Sequence, residues 1–100
     1  MAYISKENYD RKFSNLEDNI NIVRKYFKFV IPEKGNKVSK DDIRYLKYRI
    51  SSITDTILDF MASDYRDKFK AQDGGRAFTT AFMALDTLCN VEKQNLTYKE

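Results

Sequence analysis

The sequence predicts an all-α fold: a three-helix bundle on a long antiparallel hairpin, with helices over about 6–31, 40–70 and 75–92. Two observations carry this. Apolar residues Tyr9, Phe13, Leu16, Ile20, Val23, Phe27 and Val30 recur at alternating steps of four and three, and Ile43, Leu46, Ile50, Ile53, Ile57 and Phe60 repeat the habit. Such spacing holds one narrow stripe against a neighbouring helix, as in helical hairpins and coiled coils. One proline and three glycines in 100 residues also leave few turn positions, which favours a few long helices over many short strands.

The first helix opens at Ser5, whose hydroxyl can cap it, with Glu7 at the positive end of the helix dipole. It should end at Val30 or Ile31, because Pro32 disfavours helical geometry in the residue before it. Pro32 to Lys37 then reads as a turn, although Tyr26–Ile31 is rich in strand formers and could instead close a short hairpin across Gly35-Asn36. Ser39 with Asp42 resembles a capping box and starts the second helix, and Gly74-Gly75 stops it. Counting outward from the turn sets Phe27 near Leu46, Val23 near Ile50, Ile20 near Ile53, Leu16 near Ile57 and Phe13 near Phe60. Asp64 takes the next seam position opposite Tyr9. There it either accepts from the Tyr9 hydroxyl or Lys12, or marks where the seam ends.

The third helix has ten apolar residues among the sixteen from Ala77 to Glu92, and no basic one. Phe78, Phe82, Leu85 and Cys89 make one stripe; Ala77, Ala81, Ala84, Leu88 and Val91 make another; Thr79, Thr80, Asp86, Thr87 and Asn90 are the polar remainder. A solvent-facing helix ordinarily shows more Lys and Glu, so either this helix is wedged centrally or its Ala/Thr side, Thr80, Ala84, Thr87 and Val91, meets another copy of the chain, the second being the expectation. On that reading Ala84→Glu splits an oligomer and leaves the fold intact. Counted back from Gly75, this helix should stop near the level of Tyr48, and residues 93–100 should form a flexible tail to a single domain over 1–100.

Composition limits the chemistry. The chain has no histidine, which removes the usual base near neutral pH and the commonest metal ligand. The lone Cys89 cannot form an internal disulfide, which fits a reducing compartment, and no run reaches membrane-spanning length, so a cytoplasmic protein is expected. Asp55 and Asp59 lie one turn apart without the further ligands that a metal site needs, and Cys89 has no neighbouring base. Asp73-Gly74-Gly75-Arg76 matches no complete phosphate loop and reads as a turn. No catalytic residue, metal or cofactor is expected.

Charge is unevenly placed. From Arg24 to Arg49 nine Lys/Arg face three acids, giving +6, while the rest of the chain is mildly acidic. Antiparallel pairing gathers these cations at one end with interleaved aromatics. The candidate partner-binding residues are Tyr26, Phe29, Arg44, Tyr45, Lys47 and Tyr48, since Tyr and Arg dominate protein hot spots. The alternative is nucleic acid or another anion on Lys25, Lys28, Lys34, Lys37, Arg44 and Lys47. The expected function is a non-enzymatic interaction module, a small inhibitor or regulator that acts by occluding a partner's surface and self-associates. In size and architecture only, it is similar to phage inhibitors, immunity proteins and subunits of nucleoprotein machines.

Overall fold

The computed structural model describes the backbone of residues 3–30 and 39–98 and the side chains of 3–29 and 39–90. These residues form helix α1 (Lys6–Lys25), which continues as a π-helical turn over Tyr26–Val30, then α2 (Lys40–Met61), α3 (Arg66–Asp73) and α4 (Arg76–Tyr98). The all-α class is as predicted, with four helices among the described residues in place of three. Tyr26–Val30 is π-helical, which rules out the hairpin strand over those residues; the turn over 32–37 lies outside the described residues.

Local chemistry explains the helix starts. The Asn8 N–H donates to the Ser5 hydroxyl at 3.2 Å. Ser39 and Asp42 form a complete capping box, each side chain accepting the other's backbone N–H at 3.1 Å. Cross-links between α1 and α2 then run in opposite order along the two helices. Lys12 donates to Asp59, Asn19 to Ser52, and the Tyr26 hydroxyl to Asp42, so the pair is antiparallel. Both heptad seams close between them: Tyr9, Leu16, Ile20 and Val23 are buried from α1, and Leu46, Ile50, Ile53 and Phe60 from α2.

The predicted second helix over 40–70 breaks at Met61. Buried Ser63 is the cause: its hydroxyl donates to the Phe60 carbonyl at 2.8 Å and accepts from the Tyr65 N–H at 3.1 Å. A serine that offers the backbone these alternatives competes with the helical ladder and turns the chain. The turn sends α3 back along the bundle, where Phe69 packs 4.8 Å from Phe60 and 6.3 Å from Phe13, ring centre to ring centre. Buried Tyr9 joins them, stacked 4.4 Å from Tyr65, and its hydroxyl donates to Gln72 at 2.6 Å. Burial, with Asp10 and Asp73 nearby, raises its ionisation above the ordinary range. Asp64 therefore meets neither Tyr9 nor Lys12. The break turns it to the surface, where it accepts the Ile4 N–H at 3.2 Å.

Because α3 doubles back, α4 begins partway up α1 rather than at its foot. Arg76 donates to Asn21 at 2.7 Å and Arg24 to Thr80 at 2.8 Å, so α4 runs parallel to α1 toward the basic end. It starts, and does not stop, near that level, and its backbone stays helical past residue 92, through Tyr98. Gly74 and Gly75 form the preceding corner at φ +63° and +80°, a left-handed region that favours glycine.

The orientation of α4 reverses one expectation. Ala77, Ala81, Ala84 and Leu88 are buried, with Thr80 only 3% and Ala84 only 1% exposed. Phe78, Phe82 and Leu85 instead stand 47%, 75% and 50% exposed, and Cys89 is exposed with them. Thr80 and Ala84 are thus core residues, closed off from any second copy. Thr87 is half-buried, and the Val91 side chain lies outside the described residues.

Candidate interaction surface

The basic end is built by the π-helical turn of α1 and the first turns of α2. Tyr26 is half-buried, and its ring lies 6.1 Å from that of Tyr45. Its hydroxyl donates to Asp42 at 2.6 Å. Burial, and then that hydrogen bond and charge, push its ionisation up to about 12. This residue ties the start of α2 to the end of α1 and is not a free contact.

Beyond it the surface opens. The Arg49 guanidinium lies 5.2 Å from the Tyr45 ring centre and 6.0 Å from that of Tyr48, within reach of cation–π attraction to both. Arg49 donates to Asn19 at 2.7 Å, and Asn19 donates onward to Ser52 at 3.2 Å. A half-buried arginine is thereby fixed from below, and it presents two tyrosines outward, Tyr48 being 69% exposed. Neither Asn19 nor Arg49 is among the residues singled out by sequence as the partner face. The available signal is a polar residue immediately before Ile20 on the seam, a position where a side chain needs a partner.

The other candidates are more dispersed. Phe29 is exposed with the Lys28 ammonium 5.3 Å from its ring centre, and among the described residues it meets no other ring. Arg44 and Asp41 form an exposed ion pair at 3.9 Å, which contributes little to stability. Lys25 and Lys47 are exposed, while Lys34 and Lys37 lie outside the described residues. The structure thus gathers Tyr45 and Tyr48 around Arg49, sets Tyr26 against Tyr45, and leaves Phe29 and the lysines spread along the edges.

A cleft of about 290 Å³ adjoins this end, between the end of α1 and α4, lined by Val23, Phe27, Met83 and Ala84 together with Arg24 and Lys28. Small side chains cause it: α4 presents Thr80, Ala84 and Thr87 on successive turns where larger ones would fill the gap. At the Asp73–Arg76 corner the chain's own Asp73 carboxylate accepts the Ala77 N–H at 3.0 Å, so that helix start is already capped. Among the described residues no three of His, Cys, Asp and Glu come together as a metal-binding group, and no helix is long and apolar enough to cross a membrane. No protein-family model, curated protein or solved structure matches this chain.

Proposed function

We propose that this chain is a non-enzymatic interaction protein, a small inhibitor or regulator, that docks a protein partner through its basic, tyrosine-bearing end and acts by covering that partner's surface. The observation that supports this reading is the Tyr45–Arg49–Tyr48 cluster, with Arg49 held by Asn19. Tyr and Arg are the residues whose truncation costs most at protein interfaces, and an anchor fixed in advance loses less conformational entropy on binding. Dispersed lysines, by contrast, would contribute mainly steering and salt dependence.

The test is an alanine series on the partner that the chain retains from extracts of its source cells. Tyr48→Ala and Tyr45→Ala should each weaken binding by about 2 kcal/mol or more, well beyond Lys25→Ala or Lys28→Ala. Affinity for a mixed-sequence oligonucleotide that falls steeply with salt and drops evenly with each lysine removed would overturn the reading in favour of phosphate recognition.

A further inference from the structure

The exposed stripe of α4 points to a second surface, separate from the basic end. Phe78, Phe82, Leu85 and Cys89 follow one another at steps of four, three and four, the same heptad habit as the seams of α1 and α2. Those two seams are consumed inside the chain, where Tyr9 to Val23 of the first and Ile43 to Phe60 of the second are buried; the third is left facing outward. A heptad stripe is the shape that receives another helix, whereas isolated exposed apolar residues are ordinary.

We infer that this stripe is a homodimer interface, in which α4 of one copy packs antiparallel on α4 of another. Self-complementarity favours a second copy. Set antiparallel, the stripe places Phe82 against Leu85 of the second copy and Phe78 against Cys89 of the second copy, large rings meeting smaller side chains along its whole length. Charge does not oppose it: from Ala77 to Val91 the only ionisable side chains are Asp86 and the Cys89 thiol, so the stripe suits a partner as uncharged as itself. Area fits a modest dimer. At about 200 Å² per phenylalanine the exposed parts of Phe78 and Phe82 offer roughly 240 Å² per copy. Doubled, and extended by half-exposed Leu85 and by Cys89, the contact stays below the ~1,200 Å² of standard specific interfaces, in the range of weak, transient association. The dimer is therefore concentration-dependent, and because it is apolar it holds when salt is added.

Sedimentation equilibrium of the full chain across a micromolar-to-millimolar range tests this. The mass should rise from one chain to two with concentration, and the dimer should be as tight or tighter at high salt. Phe82→Glu, at an exposed position, should keep full helicity and weaken association at least ~10-fold, with Leu85→Glu repeating the effect. Tyr48→Ala should dimerise like the unaltered chain, which separates this interface from the proposed docking end. A chain that stays monomeric throughout, a dimer that dissociates on adding salt, or a folded Phe82→Glu variant that associates unchanged would overturn the inference.

Discussion

At the scale of single residues, two hydrogen-bonded side chains fix the two ends of α2. Tyr26 closes the hairpin's basic end through Asp42, and its ionisation is pushed up to about 12 by burial and then by that contact. The folded state thus favours the neutral phenol. The stabilisation is complete below the ordinary value of 10.0 and is lost as pH rises through about 12. Tyr26→Phe should cost about 1–2 kcal/mol at neutral pH and should flatten the alkaline fall in stability over that window, read by urea unfolding at several pH values. Ser63 holds the break between α2 and α3 with a buried hydroxyl that both donates and accepts. Ser63→Ala should destabilise by about 1–2 kcal/mol in the same assay, since the Tyr65 N–H loses its acceptor while the Phe60 carbonyl keeps only the Ser63 backbone N–H. Tyr48, in contrast, is mostly exposed, so Tyr48→Ala should leave stability nearly unchanged while binding suffers.

At the scale of elements, the starts of α1 and α2 and both of their seams are legible in the sequence, because capping and heptad spacing are local patterns with local causes. The end of α2 is not. Met61-Ala62-Ser63-Asp64 has neither glycine nor proline, and the break depends on Ser63 finding the Phe60 carbonyl and the Tyr65 N–H. The one local sign is Asp64, a charge where the seam called for an apolar residue. The orientation of α4 is harder still, because its sequence carries two apolar stripes with the same four-three spacing, and periodicity does not choose between them. In the bundle the space left beside α1 and α2, already filled with Ile, Leu and Phe, admits Ala77, Ala81 and Ala84 and a close backbone approach. The consequence is measurable. Ala84→Glu, expected from sequence to divide an oligomer and spare the fold, should instead place a charge in the core and destabilise by several kcal/mol, seen as a loss of cooperative thermal unfolding.

At the scale of the molecule, the chain is a rod of 50 × 23 × 20 Å with its ends chemically distinct. One end holds the aromatic cluster of Tyr9, Phe13, Phe60, Tyr65 and Phe69, assembled because α3 doubles back, and it anchors the fold. The other carries, among the described residues, seven Lys/Arg from Arg24 to Arg49 against Asp41 and Asp42, with the exposed tyrosines beside them, and α4 rises alongside it. The sequence locates this charged end from the clustering of lysine and arginine over 24–49 together with the antiparallel pairing that the seams predict. It did not pick out Arg49 as the centre, because that role depends on Asn19 reaching across from α1. The account therefore rests on the aromatic cluster outweighing the surrounding lysines in binding. The most direct measurement compares Tyr48→Ala with Lys25→Ala in quantitative capture of the bound protein, at low and at high salt. The account predicts that Tyr48→Ala weakens capture by about 30-fold or more at both salt concentrations while Lys25→Ala reduces it modestly and mainly at low salt. Equal loss from the two variants, vanishing together as salt is raised, would contradict it.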